Sequence, residues 1–237
     1  FQMIYAIIGL VGLVLLYLWR AGYFESAKVS VVEKPPILSE SVTVYYKHVI
    51  GAYHKTIGHV EEIRSLLPAG STAFGIFYDN PQEVKEHLLQ SAVGVVFARG
   101  GRDLYEGNYA EQLCRWGLEK MSLPVVEKAV VATHSQPSGF ISALIIPKIY
   151  KAIAALIAEN RLKASPFSVE FYEGDQLSVI FPLDHFADFI VPEKLSTAEL
   201  EGKLAKKKFD SDEDSSESEP SGDEEELAES DSAPVEN

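Results

Sequence analysis

Residues 3–19 run without a charge: Met-Ile-Tyr-Ala-Ile-Ile-Gly-Leu-Val-Gly-Leu-Val-Leu-Leu-Tyr-Leu-Trp. With the two residues before it, the run makes a helix of roughly 28 Å at 1.5 Å per residue, close to a hydrocarbon thickness of about 30 Å. Beyond residue 41 the pattern breaks into short apolar runs bounded by Gly, Pro, Asn and Asp. Val42–Ile50 predicts a strand, and Gly51-Ala52-Tyr53 bends into a helix over 56–67 with Val60, Ile63, Leu66 and Leu67 on one face. The aromatic, alternating stretch from Phe74 predicts a strand that Asp79-Asn80-Pro81 stops, and a second strand follows at Ala92. A helix is expected over 109–121, with Leu113, Trp116, Leu118 and Met121 buried and Cys114 buried beside them.

The pattern then repeats. A strand over 125–133 leads through Ser138-Gly139-Phe140 to a helix over 142–161, which Pro147 kinks or starts. Ser168-Val169-Glu170-Phe171-Tyr172-Glu173 follows, setting Phe171-Tyr172-Glu173 over Phe77-Tyr78-Asp79, and a strand at Gln176 completes the unit. The fold class expected is α+β, with two duplicated strand–helix–strand–strand units. Two copies are too few for a solenoid, so they should close into one domain. Residues 183–192 should run along its edge. Ser196-Thr197-Ala198-Glu199 opens a short helix by the capping-box pattern, ending at Lys206-Lys207-Lys208. The organisation expected is therefore a transmembrane helix over 1–20, a linker over 21–41 stiffened by Pro35-Pro36, a domain over 42–193, a short helix over 194–208 and a tail over 209–237.

Charge sharpens this picture. The net charge of −14 is concentrated in residues 209–237, which hold 13 acids, seven serines and no Lys or Arg. The remainder is nearly neutral, with 22 acidic against 21 basic residues, and offers no electrostatic footprint for direct nucleic-acid binding. The tail is expected to be disordered, because it cannot bury enough apolar surface to offset the entropy of ordering. Cys114 is the single cysteine, so no intrachain disulfide forms, and no Asn-x-Ser/Thr sequon is present. Tyr17, Trp19, Tyr23 and Phe24 would form an interfacial belt, and Arg20, Lys28 and Lys34 put the C-terminal side in the cytosol. A secretory signal is the alternative, but Trp19-Arg20-Ala21-Gly22-Tyr23 is a poor cleavage site. The chain opens on Phe rather than Met, so more sequence is expected before it.

Candidate chemistry is sparse. There is no Gly-x-Ser-x-Gly elbow, P-loop, Gly-x-Gly-x-x-Gly or His-Glu-x-x-His. His54 and His59 lack same-face helical spacing, so no catalytic residue, metal or cofactor is expected and the protein is read as a non-enzyme. Tyr78, Glu170 and Tyr172 are the candidate ligand pocket, a carboxylate among tyrosines suited to a cationic or aromatic ligand. The competing reading leaves Glu170 on an exposed sheet face with tyrosines packed beside it. In the tail, Ser211, Ser216 and Ser221 each have an acid three residues on, the pattern of acid-directed phosphorylation. A merely solubilising tail is the alternative.

Val42-Thr43-Val44-x-Tyr46-Lys47, Phe77-Tyr78-Asp79-Asn80-Pro81, Glu170-Phe171-Tyr172 and Asp188-Phe189-x-Val191-Pro192-Glu193 together resemble the testis-expressed protein 264 family. The resemblance covers residues 42–193 and extends to the anchor–domain–tail order. It implies a GyrI-like domain, an endoplasmic-reticulum membrane location and a role as a receptor for selective autophagy (reticulophagy). It also implies Atg8/LC3-type ubiquitin-like partners, bound through an aromatic-x-x-aliphatic motif, and a link to the p97 segregase in repair of protein–DNA crosslinks. The sequence departs from that motif: Phe209-Asp210-Ser211-Asp212 has the aromatic but places Asp212 where the aliphatic should stand. Tyr46-Lys47-His48-Val49 and Tyr150-Lys151-Ala152-Ile153 fit the bare pattern inside elements of the fold. Either the motif lies beyond Asn237 or Atg8 proteins are not bound in the usual way. A ligand-binding domain tethered to a membrane is the rival reading.

Overall fold

A computed structural model describes residues 2–137 and 141–214. Ser216 and Ser221, the tail beyond residue 214 and the Ser138-Gly139-Phe140 bend lie outside them. The chain divides into a unit ending at Leu195 and a second beginning at Ser196.

The first unit opens with α1 (Gln2–Arg20) and an edge strand, β1 (Lys28–Glu33). The first repeat comprises β2 (Val42–Ile50), α2 (Tyr53–Ser65), β3 (Ala73–Phe77) and β4 (Gln90–Arg99). A connection follows through β5 (Arg102–Asp103), α3 (Tyr109–Arg115) and β6 (Glu119–Leu123). The second repeat comprises β7 (Lys128–Ser135), α4 (Ser142–Glu159), β8 (Ser168–Glu173) and β9 (Gln176–Pro182). The second unit carries α5 (Thr197–Asp214).

All strands join one antiparallel sheet in the order β1-β7-β9-β8-β3-β4-β2-β6, with β5 on β4. The order is a palindrome of roles. β8 and β3 meet at the centre, each repeat then runs outward through its last and first strand, and one extra strand flanks each side. The duplicated α+β unit inferred from the sequence is thus an approximate twofold about the β3–β8 pair, where Gly75 stands opposite Glu170.

The two sheet faces are covered differently. One buries Val44, Phe74, Ile76, Leu123, Val169 and Phe171 under Leu38, Val126 and Phe189. The 3₁₀ turn Phe186–Phe189 caps this face rather than running along an edge, because Phe189 is fully buried. The other face carries the helices. α2 packs Ile63 against Tyr45, Val95 and Phe97, while α4 packs Ile145, Ile149 and Ile153 against Val130, Ala132, Leu177 and Val179.

Three expectations change. The stretch 21–41 is not simply a spacer: β1 pairs along β7, and its weak alternation reflects an edge strand with one half-exposed face. The helix expected over 109–121 ends at Arg115, because Gly117 adopts φ +77° and β6 begins at Glu119. Cys114 and Trp116 are consequently exposed instead of buried. Pro147 does not mark the start of α4: the helix begins at Ser142 and continues through it to Glu159, with the loss of one ladder hydrogen bond.

In the second unit Ser196 and Glu199 form the capping box. Glu199 N donates to Ser196 Oγ at 3.3 Å, and Ser196 N donates to Glu199 Oε2 at 3.0 Å. α5 extends beyond Lys208 to Asp214, so the backbone of Phe209, Asp210, Ser211 and Asp212 is helical.

Candidate functional site

The centre of the helix-bearing face is built by register. β3 pairs with β8 so that Ala73 faces Tyr172, Gly75 faces Glu170 and Phe77 faces Ser168. Side chains alternate across a strand, so these six residues share one face. It is the strip between α2, which packs on β4, and α4, which packs on β7. Gly75 contributes no side chain, and the Phe77 ring occupies its place: a Cβ at 75 would stand 2.8 Å from that ring. Tyr53 from α2 meets Phe77 edge-on with centroids 4.9 Å apart.

Glu170 is 4% exposed. Its Oε1 accepts from the Tyr150 hydroxyl at 2.5 Å and its Oε2 from the Tyr172 hydroxyl. Tyr150 also shares a 2.7 Å hydrogen bond with Ser168 Oγ. Burial pushes the Glu170 carboxyl up, and the two tyrosine hydrogen bonds pull it back part of the way. Desolvation, reinforced by the neighbouring carboxylate, lifts Tyr150 and Tyr172 well above the ordinary phenol range. Both phenols therefore stay protonated and act as donors. Among the described residues the hydrogen-bond partners of Glu170 are these two phenols, and neither is cationic. Chemically the arrangement is a desolvated carboxyl group held by neutral donors, whose ionised form would gain from a cation placed against it.

The sequence brings two of its three candidates here, Glu170 and Tyr172. The exposed-face reading of Glu170 is excluded by its burial. Tyr78 does not join them. One residue past Phe77, it lies on the opposite face, donating to Phe189 O at 2.9 Å and accepting from Val191 N at 3.3 Å. The repeat alignment that paired Tyr78 with Tyr172 is one residue out of phase with the faces, and a shift of one reverses a strand side chain. Tyr150 and Ser168 were missed. Tyr150 follows Ile146 and precedes Ile153 and Ile157 on the inward stripe of α4, where a tyrosine needs a polar partner. That need was the available signal.

Fold and site together define a class: a duplicated antiparallel α+β domain around a buried carboxylate, led by one apolar helix long enough to cross a membrane. The chain belongs to the testis-expressed protein 264 family. It is 30% identical over 207 residues to human testis-expressed protein 264, covering 81% of this chain and 62% of that protein. It is 28% identical over 167 residues to the mouse homologue, covering 69% of this chain and 51% of that protein. The chain thus spans between half and two thirds of the length of these curated relatives. No family model matches. Among solved structures, an uncharacterized conserved protein from Listeria innocua superposes at TM-score 0.40 and 9% identity over 66% of this chain and 92% of its own. A hydrolase from the same organism gives TM-score 0.40 at 8% identity over 70% of this chain and 97% of its own.

Proposed function

We propose that the protein is a single-pass adaptor of the endoplasmic-reticulum membrane, without enzymatic activity, that displays a GyrI-like domain in the cytosol. The observation that carries the reading is α1: residues Met3–Arg20 are uncharged up to Arg20, and none of that span is buried against the fold. An apolar helix left bare by its own domain is one a bilayer would cover. Family membership supports the further step, a reticulophagy receptor whose acidic tail engages Atg8/LC3-type proteins once Ser211, Ser216 and Ser221 are phosphorylated. p97-linked repair of protein–DNA crosslinks is the alternative that the same membership suggests.

Tail recognition has a structural condition. Binding of this type adds an extended strand to the partner's sheet, whereas Phe209 to Asp212 is helical within α5. The last turns of α5 must therefore unwind on binding. The test is a pull-down of residues 194–237, with and without phosphate at Ser211, Ser216 and Ser221, against Atg8-family proteins. Binding lost in Phe209→Ala supports the reading; no binding in either state sinks the tail's part in it.

A second reading rests on Glu170, Tyr150 and Tyr172: the domain takes a cationic or aromatic small molecule at the buried carboxylate. It predicts a ligand-dependent rise in Tm that Glu170→Ala removes. No shift across a panel of cationic and aromatic compounds would count against it.

A further inference from the structure

α4 has an outer face that its own domain does not use. Ala143, Leu144, Pro147, Lys148, Lys151, Ala154, Ala155 and Ala158 are exposed, and Leu144 is 47% accessible. From Ser142 to Ala158 the helix contains no acidic residue; its charges are Lys148 and Lys151. An exposed helix face of small and aliphatic side chains, with lysines whose long stems can reach past them, is the composition of an interfacial helix.

The placement of this face says what it meets. α1 does not end away from the domain. Leu18, Ala21 and Tyr23 pack into the same cluster as Ile145 and Ile149 of α4. Lys148 Nζ stands 3.4 Å from the centroid of the Tyr23 ring, a cation–π contact between the exit of α1 and the second turn of α4. A groove of about 400 Å³ at the same level is lined by Trp19, Arg20, Phe24, Glu25 and Ser135. Glu25, its one acid, is engaged by the Ser135 hydroxyl at 2.7 Å. Exposed Trp19 and Phe24, Arg20, and the first half of α4 thus lie together where the chain leaves α1.

We propose that the outer face of the first half of α4 rests on the headgroup layer of the membrane that α1 enters, with anionic phospholipid as its partner. The inference rests on the reading of α1 as a membrane span. Leu144 and Pro147 enter the acyl boundary, while Lys148 and Lys151 reach headgroup phosphates. The domain is thereby held in one orientation on the bilayer instead of swinging on its tether, and the opposite sheet face, capped by the turn Phe186–Phe189, faces away.

The experiment uses the full chain carrying Cys114→Ser, reconstituted in phosphatidylcholine/phosphatidylserine vesicles. An environment-sensitive fluorophore is placed by cysteine substitution at Leu10 in α1, Leu144 in α4 or exposed Ala187 in the turn that caps the opposite sheet face, one at a time. Nitroxide-labelled lipids serve as quenchers. The expected result is strong quenching at 10, clear quenching at 144 and none at 187, with the signal at 144 falling in Lys148→Glu/Lys151→Glu and in phosphatidylcholine alone. Quenching at 144 no greater than at 187, with 10 still quenched, overturns the inference and leaves the anchor standing. Quenching at 144 that ignores both charge changes overturns the anionic-lipid assignment. A water-like signal at 10 overturns the anchor, and this inference with it.

Discussion

Tyr150 and Glu170 stand on different elements, yet the phenol donates to the carboxylate at 2.5 Å in the middle of the sheet. The burial of that carboxyl makes the domain sensitive to pH in a definite direction, against the pull of the bond. Burial raises the Glu170 pKa in the folded state, so folding favours the protonated carboxyl. That contribution is complete below the unfolded value of about 4.3 and is lost as pH rises through the raised folded value. Glu170→Gln cannot ionise and should lose this dependence. Urea unfolding across the acidic-to-neutral range should therefore show the variant gaining on the wild type as pH increases. Parallel curves would mean that the carboxyl titrates as it does in the unfolded chain.

Tyr78 and Tyr172, both near the central strands, should separate by phenotype. Tyr78→Phe leaves Phe189 O and Val191 N without their buried partner, which costs about 1–3 kcal/mol. It should leave the behaviour of the carboxylate unchanged, because its side chain is on the other face. Tyr172→Phe strips one donor from Glu170 and should push that carboxyl further up. Carboxyl carbon shifts of Glu170 followed by NMR titration distinguish the two. An equal upward displacement in both variants would contradict the face assignment.

Gly94 and Gly58 make a second contrast. A Cβ on Gly94 would lie 1.9 Å from the backbone oxygen of Tyr45, where β2 and β4 approach beside their bulge. The three nearest atoms are all β2 backbone, with no side chain to swing away, so Gly94→Ala should cost at least about 3 kcal/mol, at the upper end of overpacking. Gly58 is exposed in α2 with nothing within 4 Å of a built Cβ. Gly58→Ala should stabilise by up to about 1 kcal/mol through helix propensity. Denaturant midpoints of the two variants should move in opposite directions.

Much of this architecture is written in local patterns. Val42–Ile50 is a strand with the bounds that its alternation suggests, and the two repeats follow from a spacing kept through strand, helix and paired strands. What failed depended on phase or on distant partners. Tyr78 was paired with Tyr172 by letter, and only the Ala73–Tyr172 register reveals the one-residue error. Tyr150 reaches Glu170 because α4 crosses back over β8, a contact that no local spacing encodes. β1 was hidden by its edge position: with one neighbour, Lys28–Glu33 needs no continuous apolar face. The helix expected over 109–121 failed at Gly117, where a positive φ outweighed the apolar spacing on either side.

The capping box of α5 should report its own charge state. Glu199 Oε2 accepts from both the backbone N–H and the hydroxyl of Ser196, at 3.0 and 2.6 Å. Those bonds favour the ionised carboxylate, and its pKa is lowered, first by the Ser196 side chain and then by the Ser196 backbone. A group whose folded pKa is depressed contributes stability above its unfolded value and loses it as pH falls through the folded value. The first turn of α5 should therefore fray at acid pH, and Leu200, whose N–H bonds to Ser196 O at 2.9 Å, is placed to sense it. The Leu200 Cα chemical shift should move toward its coil value on acidification in the wild type. In Glu199→Gln it should stay nearly flat, because a neutral amide holds the same position at every pH. In Ser196→Ala it should start closer to coil, since the hydroxyl is gone from both of its bonds. An acid-insensitive Leu200 in the wild type would show that the helix start is held by something other than this pair.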